Sequence, residues 1–198
     1  MGLVVAVTWG NVSLAARHRR FSVDEYYRMA EAGILHEDDR VELLDGEIIE
    51  MTPIGSLHAA CVDRLNRIFV SACGDRAIVR VQNPVRLSTD SEPEPDLAIL
   101  RPRADDYARA HPGPADVLLV IEVADSSLEY DRGRKAQAYA RSGIPELWIV
   151  DLASEVVFVC RDPGARFYRV EETRRRGQRL EVAGLSGVAL AVDQMFPT

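Results

Sequence analysis

The chain is nearly devoid of lysine: of 24 basic residues, 23 are arginine and one, Lys135, is lysine. It is also poor in cysteine, and Cys61, Cys73 and Cys160 stand far apart with no CxxC pair. That pattern supports neither a disulfide framework nor a zinc site, and a reducing cytoplasm is the simplest compartment to expect. Long apolar runs are missing too. The run from Leu3 to Val7 is too short for a signal-peptide core and has no basic residue before it, and nothing else approaches a membrane-spanning length. The chain therefore reads as soluble and unprocessed. Nor is positive charge in excess. A net charge of -7 argues against a protein that coats nucleic acid nonspecifically, because such binding depends on neutralising phosphates with Lys and Arg. The clusters Arg17, Arg19, Arg20 and Arg174, Arg175, Arg176 read as solvated loops.

What is present is an ordinary globular composition, 47% hydrophobic and 28% charged, which over 198 residues can bury a real core. The expected organisation is an N-terminal arm over residues 1–20 and one domain over 21–198, with no repeat and no linker. Ser22 followed by Glu25 matches a capping box for a helix over 21–32, which Gly33 stops. Residues 40–44 and 47–51 flank Asp45-Gly46, the dipeptide suited to a two-residue hairpin turn. Residues 56–73 place Leu57, Cys61, Leu65, Ile68 and Val70 at mostly helical spacing, ending at Gly74. Short strand-like runs follow at 77–81, 85–87 and 96–100, broken by Pro84 and by Glu92-Pro93-Glu94-Pro95.

The run VLLVIEV at 117–123 is the pattern of a strand covered on both faces, and it is the candidate central strand. Ser126 and Ser127 can cap a helix over 128–141, and an apolar strand at 146–150 follows Gly143 and Pro145. A strand-helix-strand unit of this length favours a parallel pair. The last third, with runs at 156–160, 167–170 and 180–182 around Pro163-Gly164, reads as antiparallel strands.

Glu122 is the anomaly in the central strand, because an ionised carboxylate among apolar neighbours needs a partner, a hydrogen bond or a metal. Asp96 opens an earlier strand after Pro95, and adjacent strands would set the two carboxylates side by side as part of a Mg²⁺ site. Lys135 lies on the next helix, 13 residues past Glu122. There an ammonium could orient an attacking water or neutralise charge developing on phosphorus. The competing reading is a surface ion pair of Lys135 with Asp131 at i, i+4. Glu42, in a hydrophobic strand, is either a third acid at the site or an edge-strand residue facing water. Asp45, Glu47, Asp131 and Tyr139 read as turn, surface and packing residues, and Trp148 as core.

Pro95-Asp96, Glu122-Val123, Asp131 through Lys135 to Tyr139, the run GIPELWIVD at 143–151 and the hairpin RVELLDGE at 40–47 together resemble the Uma-type endonucleases. These belong to the PD-(D/E)xK, or restriction-endonuclease-like, nuclease superfamily, and the resemblance spans roughly residues 21 to 190. It implies an α/β (mixed α+β) fold with a mixed central sheet of four or five strands flanked by helices, here with a C-terminal antiparallel extension. It also implies a metal-dependent endonuclease acting on phosphodiester bonds in DNA. Catalytic Asp96, Glu122 and Lys135 would be served by Mg²⁺, or Mn²⁺, on Asp96, Glu122 and Glu42. His58 matches a histidine often found at this point of the pattern and is a candidate for touching substrate. The standard motif would put the lysine two residues after Glu122, where Ala124 stands; Lys135 matches the version in which it has moved to the next helix. A homodimer is expected on symmetry grounds for a nuclease that cuts both strands. The alternative is a catalytically inactive nucleic-acid- or partner-binding module on the same fold, and a further rival is a hydrolase of small phosphate esters.

Overall fold

The computed structural model describes residues 18–36 and 38–197, so the Leu3 to Val7 run, Arg17 and most of the expected N-terminal arm lie outside the described residues. The first helix, α1 (Val23–Glu31), begins where the capping box places it: Ser22 Oγ accepts the Glu25 N–H and the Glu25 carboxylate accepts the Ser22 N–H. Strands β1 (Val41–Leu44) and β2 (Glu47–Glu50) form the hairpin read from Asp45-Gly46. Both turn residues have positive φ, 54° and 74°. A Cβ on Gly46 would lie 2.6 Å from Arg20 Cβ and 3.1 Å from the Phe21 backbone, so Gly46 is required by conformation and by space. Gly46→Ala is expected to lower stability by upwards of about 1 kcal/mol, seen as a lower Tm.

Helix α2 (Ser56–Cys73) has the bounds expected from its spacing. Its buried stripe is Cys61, Val62, Leu65, Phe69 and Cys73, with Phe69 tilted against Trp148 at 5.9 Å between ring centroids. Leu57 and Val70, expected on that stripe, are 46% and 54% exposed. Val70 falls off the line that 61, 65, 69 and 73 trace at i, i+4, whereas Leu57 lies on that line but in the first turn of the helix.

The sheet has six strands, one or two more than expected, in the order β3 (Ile78–Val81), β4 (Leu97–Leu100), β5 (Val117–Ala124), β6 (Glu146–Asp151), β7 (Val156–Pro163), β8 (Tyr168–Arg175). β5 and β6 run parallel and every other neighbouring pair antiparallel. All eight residues of β5 are buried, as its continuous apolar run requires. Leu119, Ile121 and Val123 face the α2 side; Val120 and Ala124 face the opposite core, which holds Ala138 and Tyr139. The count reaches six because β7 and β8, the expected C-terminal antiparallel strands, join the central sheet at β6; both also run past the expected 156–160 and 167–170. Arg174 and Arg175 accordingly sit in β8 rather than in a loop, and Arg174 pairs with Glu172. Segment 85–87 is not a strand: Val85 and Leu87 are buried, but their N–H groups bond to Pro93 and Ser91 carbonyls of a local loop. A small hairpin of β9 (Arg179–Glu181) and β10 (Ala189–Ala191) carries Leu180 and Leu190 into the α2-side core.

The crossover between β5 and β6 is a helix over 128–141, α3, and it departs from regularity where the chemistry lies. A first turn, Leu128–Tyr130, gives way to a π-helical stretch, Asp131–Lys135, before the α-helix resumes over Ala136–Arg141. Ser127 does not cap it as expected. Its hydroxyl is 2.5 Å from Asp131 Oδ2 and donates to that carboxylate. No described helix is long and apolar enough to cross a membrane.

Candidate active site

Strand register creates the acid pair. Leu97 stands across from Ile121 and Ala98 across from Val120, so one further step sets Asp96 against Glu122. Opposed residues of an antiparallel ladder share a face. Asp96, Glu122, Lys135, Glu42 and His58 all line one cavity of about 340 Å³, so the five site residues expected from the sequence come together.

Lys135 is the hub. Its Nζ lies 2.9 Å from Glu122 Oε1 and 3.3 Å from Glu42 Oε2, and its side chain is only 6% exposed. No ion pair with Asp131 forms, and Glu42 does not face water. Burial disfavours the ammonium, yet Glu122, Glu42 and Asp131 outweigh it and hold the Lys135 pKa well above its ordinary value. At Glu122 the balance tips the other way: burial outweighs Lys135, and the carboxyl is pushed up to about 8.

Asp96 is held from three directions. Its Oδ2 accepts the Val123 N–H at 2.8 Å and meets His58 Nε2 at 3.1 Å, while Oδ1 accepts from Gln82 Nε2 at 3.2 Å. Gln82 reaches it from a left-handed backbone conformation, φ 48°. Burial works against the Asp96 charge, but His58 and the Val123 N–H prevail and lower its pKa. The hydrogen bond to Asp96 in turn raises the pKa of His58.

Several residues of the site were not singled out by sequence. Asp131, expected on the surface, is buried and lines the cavity. Tyr139, read as packing, is fully buried but also donates its hydroxyl to Glu122 Oε1 at 2.6 Å. Tyr130 donates to Glu42 Oε1 at 3.1 Å, and the Glu94 N–H donates to Glu42 Oε2 at 3.1 Å. A signal existed for the first two: positions 131, 135 and 139 form a polar stripe at i, i+4. Tyr139→Phe is expected to destabilise the fold by about 0.5–1.5 kcal/mol, the net scale of a buried hydrogen bond, in urea unfolding at neutral pH.

Asp96 and Glu122 supply two hard oxygen donors to one cavity, the set from which a Mg²⁺ ion is commonly held with water and phosphate filling the other positions. Among the described residues, no group of three His, Cys, Asp or Glu side chains is arranged to hold a metal. Two carboxylate oxygens are donors that a hard cation prefers, whereas structural zinc favours thiolate and imidazole.

A mixed six-stranded sheet flanked by helices, with the acid pair at the start of β4 and the far end of β5, is a restriction-endonuclease-like fold. Over residues 23–193 the chain matches Uma2, described as "Putative restriction endonuclease", and it belongs to that family. A crystal structure of "a putative nuclease belonging to DUF820 from Anabaena variabilis ATCC 29413" superposes with a TM-score of 0.71, covering 89% of this chain and 97% of that one at 17% identity. At that identity the likeness is one of fold. No functionally curated protein matches the chain.

Proposed function

We propose that this protein is a metal-dependent endonuclease that hydrolyses phosphodiester bonds in DNA, with residues 21–198 forming one catalytic domain. The observation that carries the reading is the meeting of Asp96, Glu122 and the chain's single lysine around one cavity. Asp96 and Glu122 would hold Mg²⁺, or Mn²⁺, which when bound polarises the scissile phosphate and acidifies a water. The protein's own groups do the rest. His58, Gln82 and the Val123 N–H fix the Asp96 carboxylate in one orientation, so it need not reorganise when substrate arrives. Lys135 keeps its charge in the buried site; it positions the attacking water and neutralises negative charge developing on the phosphorane. His58 lines the cavity and holds Asp96 through Nε2; in this reading its ring would also meet substrate. Cutting both strands of a duplex would be served by a two-fold dimer, which sedimentation would reveal.

The test is a supercoiled-plasmid assay with Mg²⁺, with Mn²⁺ and with chelator, run beside Asp96→Ala. Metal-dependent nicking that chelator and the substitution both abolish is the expected result. Hydrolysis of a small phosphodiester without plasmid cleavage would replace the DNA reading with a small-ester hydrolase. No metal-dependent hydrolysis of either substrate would leave a binding module.

A further inference from the structure

We propose that Glu42 is a positioning residue for Lys135 and not a third metal ligand. This rests on the nuclease reading above for its catalytic meaning, though not for its geometry. A carboxylate has about four lone-pair sites, and three donors already converge on Glu42: the Tyr130 hydroxyl on Oε1, and the Glu94 N–H and Lys135 Nζ on Oε2. Glu42 is 1% exposed with both oxygens engaged. Asp96, which also receives three donors, keeps a side chain 13% exposed, and Glu122 Oε2 receives no hydrogen bond among the described residues, so the room for a hydrated cation lies at those two acids.

The backbone explains why the carboxylate stays there. Glu42 lies on β1, which belongs to a separate two-stranded hairpin and not to the six-stranded sheet. The neighbouring Leu43 pairs with Glu92, whose N–H donates to the Leu43 carbonyl at 2.7 Å. That bridge fixes the segment leading to Glu94, whose N–H then holds the Glu42 carboxylate. Lys135 is therefore gripped from two bodies of structure, by Glu122 from the central sheet and by Glu42 from the hairpin. Tyr130, from the same helix as Lys135, closes the arrangement on Glu42. With a single carboxylate partner the ammonium would be free to pivot about Glu122; with two it has one address over the cavity. The hairpin residue thus acts on the reaction through the lysine, without touching phosphate or metal.

The single lysine allows a direct test, because selective ¹⁵N-lysine labelling yields one side-chain ammonium resonance. Glu42→Gln is nearly isosteric: its one carbonyl oxygen can still accept from the Glu94 N–H, while its NH2, in the place of Oε1, can donate to the Tyr130 hydroxyl oxygen. In metal-free protein this substitution should speed ammonium proton exchange by about tenfold or more, the scale of losing one charged hydrogen bond. The thermal stabilisation by Mg²⁺ should keep its wild-type midpoint concentration, whereas Asp96→Asn should lose it. Plasmid nicking should fall about 10- to 100-fold in kcat, the scale of a reacting group misplaced by an ångström or less, with KM little changed. Tyr130→Phe, which leaves both carboxylates of the grip, should show a weaker form of the same exchange effect and gives a second variant should Glu42→Gln fold poorly. Loss of the Mg²⁺ response in Glu42→Gln to the extent seen in Asp96→Asn would make Glu42 a metal ligand and overturn the proposal. An unchanged ammonium signal in both variants would overturn it too. If the wild-type protein neither nicks DNA nor responds to Mg²⁺, the nuclease reading fails, while the exchange measurement still decides whether Glu42 anchors the lysine.

Discussion

Lys135→Met should reduce plasmid nicking by about 100- to 1000-fold, the scale of removing one well-placed electrostatic stabiliser from a water-poor site. The side chain lies almost wholly out of water between two carboxylates, so its loss also costs stability. Breaking a buried ion pair by deleting one partner typically costs about 3–5 kcal/mol, and urea unfolding would measure it. The pH dependence separates this from loss of packing. A carboxyl whose pKa is raised by folding binds protons more tightly in the native state, so stability falls as pH climbs above the unfolded pKa, about 4.3 for glutamate. Glu122 is already raised to about 8 with the ammonium present. Without the ammonium, stability in metal-free buffer should decline more steeply toward alkaline pH than in the wild type. A variant with full activity would remove the lysine from the mechanism, and one with unchanged stability across pH would show that the ion pair does not hold the fold.

Asp96→Asn is expected to abolish metal dependence while leaving the fold close to native. A ligand that binds only the folded state stabilises it by about 2.7 kcal/mol at a hundredfold excess over Kd. For a domain of this size that is a rise of roughly 5–10 °C in Tm. Wild-type protein should show such a rise with Mg²⁺ and the variant none, alongside loss of nicking. The asparagine can still accept the Val123 N–H, so the fold is kept, while stability without metal at neutral pH should fall by the contribution of the ionised carboxylate. Acid behaviour should change: Asp96 has a lowered pKa, so its contribution is present above the unfolded value, about 3.9, and is lost as pH falls through the folded one. In the variant that part of the acid-induced loss disappears. A variant that retains the Mg²⁺-dependent rise would place the cation elsewhere.

Much of this arrangement was legible in the sequence, for identifiable reasons. The Ser22–Glu25 box, the Asp45-Gly46 turn and the 56–73 helix are local signals, and local chemistry decided them. The VLLVIEV run announced a doubly covered strand, and Glu122 inside it announced a partner. Lys135 stood out because arginine fills every other basic position. What escaped depends on contacts between distant segments. The full length of β8 is hidden by its polar pattern, which reflects a sheet-edge position. The fate of Glu42, equally compatible with solvent and with a buried ion pair, was set by where the hairpin docks. The burial of Asp131 and the hydroxyl bonds of Tyr130 and Tyr139 follow from a helix whose turn is not α-helical, and composition gives no warning of that.

The widened turn at Asp131–Lys135 amounts to one surplus residue wound into an otherwise ordinary helix. Rewinding the same residues as uniform α-helix, with none removed, would satisfy the backbone better. It would also swing everything on one side of that turn by about 100° relative to the other. Tyr130 and Asp131 would then aim away from the cleft while Lys135 and Tyr139 still faced it. The irregularity is therefore the hinge pin of the geometry: the chain tolerates an imperfect coil because a perfect one would point half of its polar side chains in the wrong direction.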